Sequence, residues 1–114
     1  MKKLLAASVL LAAGCASHPP PTDHLASAIA ATRGAEEAGA PRVPGAALQL
    51  KLAQEQIAQA RAMMEDGDNE RADFMTLRAY NDAELALALA REDAAARRSK
   101  QATEMAVSAE AAKP

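Results

Sequence analysis

A single thiol at Cys15, imidazoles at His18 and His24, and the acidic turn "MEDGDNE" at residues 64–70 could do chemistry in this chain. The thiol would have to act as a thiolate beside a base, the imidazoles as ligands or proton carriers, and the acids as a calcium loop. Each reading meets an obstacle in the spacing. Two histidines without further soft ligands make a poor zinc site. A calcium loop begun at Asp66 needs glycine at its sixth position and glutamate at its twelfth; those positions hold Arg71 and Leu77. The remaining carboxylates fall beside basic residues at helical spacing, as Asp93 and Arg97 do at i,i+4. No nucleophile, base and electrophile converge, so the expectation is a non-enzymatic chain with no cofactor and no metal.

Cys15 draws its meaning from what precedes it. Lys2 and Lys3 form a short positive start, and Leu4 to Ala13 is uncharged. That run is too short for a spanning helix, which needs about 20 apolar residues, and it has the anatomy of an export signal. Leu11-Ala12-Ala13-Gly14-Cys15 resembles the lipobox of bacterial lipoproteins, with leucine one step further from the cysteine than usual. The resemblance implies diacylglycerol on the Cys15 thiol, cleavage before it and a further acyl group such as palmitate. A lone cysteine has no internal disulfide partner, and two or more acyl chains hold a protein firmly on a bilayer. Ala16 is not the aspartate that retains lipoproteins in the inner membrane in enterobacteria-like sorting. The expected location is therefore the outer membrane, facing the periplasm. Pro19-Pro20-Pro21 then favours an extended spacer holding a folded part off the bilayer.

The elements that follow are helical. Of 13 basic and 15 acidic residues, Lys2 and Lys3 leave with the leader, so the mature part carries 11 against 15. Nucleic acid, which needs a basic face, is excluded as a partner. One Phe, one Tyr and no Trp leave almost no stacking platforms. Ala, Leu, Glu, Gln, Arg and Met favour helix, and the fold class is all-α with a thin, alanine-rich core. A first helix is expected from about Asp23 to Ala38, capped by Thr22 or Asp23, with Leu25, Ala28, Ile29 and Thr32 on one face. "GAPRVPG" breaks it, and Pro44 opens a second helix. Leu50, Ala53, Ile57, Ala60 and Met64 form its seam, widened by Leu48 and Leu52. Gly67 suits the left-handed residue that ends a helix, with Asp68 or Asn69 capping the next. A third helix runs from about Glu70 to at least Arg98, its seam at Met75, Ala79, Ala83, Ala86, Ala90, Ala94 and Arg97.

This divides the chain into a signal peptide (1–14), a lipidated cysteine and proline-rich tether (15–22), a helical domain (23–100) and a frayed or disordered tail (101–114). The domain is an antiparallel three-helix arrangement. Leucines on two faces of the third helix make Leu87 and Leu89 candidate contact residues on an uncovered strip.

Two family resemblances follow from this pattern. "GDNERADFMTLRA", residues 67–79, resembles the second half of a tetratricopeptide repeat, implying a hairpin and, as a single unit, no solenoid. Ala40-Pro41, Leu52-Ala53, Ile57, Ala60, Gly67-Asp68, Ala72, Ala79 and Asp82-Ala83-Glu84-Leu85-Ala86 occur in an order that resembles the bacterial envelope lipoproteins of domain of unknown function 4398. That resemblance implies a helical periplasmic domain, makes an OmpA-like peptidoglycan-binding protein a candidate partner, and brings no catalytic residues. The expected role is a non-catalytic binding or structural module that docks an envelope protein or a second copy. The alternative is a helical module lying on lipid.

Overall fold

A computed structural model describes residues 17–114. Helix α1 spans Thr22–Glu37, a 3₁₀ turn Ala40–Arg42 follows, α2 spans Pro44–Glu65 and α3 spans Asn69–Ala111. No strand occurs among the described residues. The fold is all-α, with its helices packed on one another.

Two glycines set the reversals. Gly39 closes α1 at φ 91° and Gly67 closes α2 at φ 77°, both in the left-handed region that side chains avoid. At the second reversal Asp68 N–H bonds the Met63 carbonyl at 2.8 Å and Gly67 N–H bonds that of Met64 at 3.1 Å. These two bonds satisfy the last carbonyls of α2. The reversal is so short that α2 and α3 must run antiparallel.

The expected side-chain caps do not form. Pro21 stands at the cap position of α1 and supplies only its carbonyl, to Leu25 N–H at 2.9 Å. Asp68 stands at that of α3, but its carboxylate accepts Arg71 Nη1 at 2.9 Å and leaves the backbone donors alone. Asn69 spends its amide on the arm instead, donating to the His18 carbonyl at 2.8 Å.

The core is built in tiers, one residue from each helix. Ala28, Ile57 and Ala79 form the first, Ala31, Ala53 and Ala83 the second. Ala35, Leu50 and Ala86 open the third, joined by Ala40, Ala46 and Ala90. α1 therefore ascends with α3 while α2 descends between their registers. Leu50 and Ile57 are the only large aliphatic side chains among the buried residues described. Alanine buries little apolar area, so stability rests on close backbone approach and dense contact. Buried Thr32 and Thr76 satisfy their hydroxyls on their own helices, at Ala28 O and Asp73 O, both at 2.8 Å.

Several expected core residues lie outside this column. Leu48 is 57% exposed and Leu52 36%, because α1 packs mainly on α3 and leaves that flank of α2 bare. Met64 and Met75 are half-buried, Ala94 is half-buried and Arg97 is exposed. In α3 the contact instead runs through Ala72 and Thr76 into the alanine seam.

The tail expected to fray continues α3 to Ala111. Residues 101–114 contain no glycine, and their single proline is the last residue, so nothing interrupts the helix earlier. Lys100–Glu104 and Lys113–Glu110 pair along it. At about 1.5 Å per residue α3 is roughly 64 Å long and α2 roughly 33 Å. Every residue from 95 onward is exposed.

Candidate functional site

Where the arm meets the domain, three separated stretches converge. His18 belongs to the segment before α1, His24 to the first turn of α1, and Asp73 to the second turn of α3. His24 Nδ1 is hydrogen-bonded to Asp73 Oδ1. His18 Nε2 lies 3.7 Å from Asp73 Oδ2, and Asn69 holds the His18 carbonyl. Pro21 is buried beneath them. Between these groups and Pro19–Pro21 lies an open groove of about 200 Å³.

The electrostatics follow from the pairing. The hydrogen bond and charge of Asp73 raise His24 above its ordinary 6.5, with Asp23 adding a smaller push in the same direction. The bond from His24 holds the Asp73 carboxyl below its ordinary 3.8. One carboxylate between two imidazoles is a polar clasp. Among the described residues, no group of three His, Cys, Asp or Glu is arranged to hold a metal ion.

The clasp revises the expected part played by the histidines and the arm. Instead of projecting as a free spacer, the arm is docked on α3 from His18 onward. The sequence reading found in the histidines only a poor zinc site, offered Asn69 only as a helix cap and assigned Asp73 no part. Their partners lie 49 and 51 residues away, a distance at which no local spacing signals contact.

The other expected site residues fall as follows. Cys15 lies outside the described residues. Leu87 and Leu89 are half-buried, packed on the tier of Ala35, Leu50 and Ala86. The Leu89 methyl Cδ1 would lie 3.8 Å from a Cβ placed on Gly45. The uncovered apolar residues of α3's packed half are instead Phe74 (65% exposed), Leu77, Tyr80 and Leu85. The chain's one Phe and one Tyr are therefore both on its surface. A second unpredicted polar link is buried Gln56, whose Nε2 donates to Asp82 Oδ2 at 2.8 Å and ties α2 to α3. No helix among the described residues is long and apolar enough to cross a membrane.

Comparison with curated proteins and with solved structures finds no match. A family profile described as Domain of unknown function (DUF4398) matches residues 23–112, which covers all three helices. The chain belongs to the DUF4398 family.

Proposed function

We propose that this chain is a lipoprotein of the cell envelope, anchored through acyl groups on Cys15 at the outer membrane, with a non-catalytic helical domain facing the periplasm. The observation that carries the reading is the arm that follows the lipobox-like segment. Three residue steps lead from Cys15 to clasped His18, a reach of about 10 Å at ~3.4 Å per residue. Acyl chains on Cys15 would thus hold the helix pair against the bilayer surface, where it serves as a fixed platform for an envelope partner. An OmpA-like peptidoglycan-binding protein is one candidate. Among the described residues no nucleophile converges with a base around the clasp, which favours binding over catalysis.

Labelled palmitate should enter the wild-type chain and not Cys15→Ser. Equal labelling of both would sink the anchor. Fractionation then tests the location. Wild type should travel with outer-membrane markers and Ala16→Asp with inner-membrane markers in a host that uses aspartate as its retention signal.

A further inference from the structure

The arm before α1 is held differently from the helices that follow it. Pro21 is buried, and its carbonyl accepts the Leu25 N–H at 2.9 Å as the first bond of α1. Its φ of −80° and ψ of 56°, with Thr22 N–H bonded to the Pro20 carbonyl at 2.9 Å, make an inverse γ-turn that bends the chain there. Upstream of the bend, Ser17, His18, Pro19 and Pro20 are all exposed. Two polar contacts keep them on α3. The His18 carbonyl accepts Asn69 Nδ2 at 2.8 Å, and His18 Nε2 stands 3.7 Å from Asp73 Oδ2. The His24–Asp73 bond joins α1 to α3 and does not involve the arm, but it fixes the carboxylate that His18 faces.

We propose that residues 17–20 are a releasable strap, hinged at Pro21, which sets how far the helical domain stands from Cys15. A segment with no buried residue opens at little free-energy cost, and an exposed ion pair adds little to hold it. The docked state also leaves Asn69 Oδ1 buried with no hydrogen-bond partner among the described residues, an unmet acceptor that disfavours it. Docked and lifted arms are therefore close in free energy, and charge on the two imidazoles tips the balance. The titratable groups lining the groove are His18 from the arm, Asp23 and His24 from α1 and Asp73 from α3, and α2 supplies none. Both acids favour charged imidazoles. Charged His24 fixes the Asp73 carboxylate, and charged His18 is drawn to it. Imidazoles lose that charge between about pH 5 and 8, which leaves the arm the Asn69 bond alone. Rising pH lifts the strap.

Lifting changes a length. With the strap docked, the chain from Cys15 meets the folded part at His18, within about 10 Å. With the strap lifted, it meets the fold only at Thr22. That stretch spans up to about 22 Å at ~3.1 Å per residue, and its prolines favour the extended form. The domain gains up to about 12 Å of height while its tiers stay as they are. The height rests on the proposed acylation of Cys15, whereas docking of the strap does not.

The test reads docking and height separately. Docking is read on the full chain carrying Cys15→Ser, with nitroxides on Ser17→Cys and Glu70→Cys, whose neighbours His18 and Asn69 are bonded when the strap is down. Dipolar broadening at about pH 6 should report the docked arm, and the docked-to-lifted ratio should fall about two- to fivefold by about pH 8.5. Asp73→Asn should hold the ratio low at both pH values. Asn69→Ala should lower it at both while keeping the pH dependence, and circular dichroism should be unchanged in either variant. Height is read on the acylated chain in phosphatidylcholine vesicles, by energy transfer from a donor on exposed Gln59→Cys to headgroup acceptors. Transfer should change between the two pH values in the wild type and stay constant in Asp73→Asn. A nitroxide pair that reads the same at both pH values, or the same in wild type and Asp73→Asn at about pH 6, would overturn the strap. A strap that lifts while transfer stays constant would overturn its control of height. Failure of palmitate labelling would sink the anchor alone, since the nitroxide pair is read without it.

Discussion

The two halves of α3 are made of nearly the same residues and lead different lives. From Ala72 to Ala90 every third or fourth position is sealed against α1 and α2. From residue 95 to Ala111 the helix continues in the same alanine, glutamate and lysine vocabulary and touches no other element, with Met105 72% and Val107 65% exposed. Local propensity makes both halves helical, but only the first has tertiary contacts to hold it. An isolated helix of this length is marginal in water. The overhang therefore inherits its order from the packed half through an unbroken run of backbone hydrogen bonds. Stability in this chain belongs to the contacts between alanines, and helix content measures something else.

One substitution placed in each half sharpens the contrast most. Ala83→Asp sets an unpaired carboxylate in the middle tier, at a cost of several kcal/mol, and should abolish cooperative thermal unfolding followed by far-UV circular dichroism. Ala102→Asp should shift stability by less than about 0.5 kcal/mol. If both variants melt alike, the tiers are not the core.

Gly67→Ala should give a smaller effect on the packed half alone. A Cβ there meets nothing within 4 Å, so the cost comes from φ 77° alone and should be about 1–2 kcal/mol. Hydrogen exchange should then quicken across α2 and residues 72–90 while the already fast exchange beyond residue 95 stays as it was. An unchanged variant would mean the reversal carries no strain.

The smallest effect concerns the clasp. His24 is raised above 6.5, so its contribution is complete below 6.5 and lost as pH rises through its higher folded value. Asp73 is lowered from 3.8, so its contribution is present above 3.8 and lost as pH falls through its lower folded value. Docking of the arm should be fullest between those limits and should loosen on either side of them. Amide exchange of His18 and of residues 22–24 against pH should show this, and His24→Asn should flatten the alkaline limb. Identical profiles for both proteins would remove the imidazole from the clasp.

The residues reveal these features to different degrees. The starts and stops of α1 and α2 were legible because Pro44, Gly39 and Gly67 act through their own backbone. The alanine seam of α3 was legible because a 3.6-residue period is local. The end of α3 was not. Fraying was expected from an alanine-rich, polar composition, whereas continuation depends on the absence of a breaker before Pro114. The clasp was invisible, since His18 and His24 acquire meaning only when Asn69 and Asp73 are brought across the hairpin.

The sequence by itself determined an all-α chain, its reversals and its narrow apolar stripes, because each follows from backbone geometry within a turn or two. Tertiary structure alone decided how far the alanine seam of α3 is closed, sealing Ala72 and Thr76 and leaving Met75, Ala94 and Arg97 at its margin or outside it. α3 offers an alanine face and a face with Phe74, Leu77 and Leu85, and hydrophobicity taken alone favours burying the second. The alanine face lies inside because small side chains let α1 and α2 both pack closely on α3, and the dispersion contact summed along two neighbours outweighs the area lost by leaving three large residues in water.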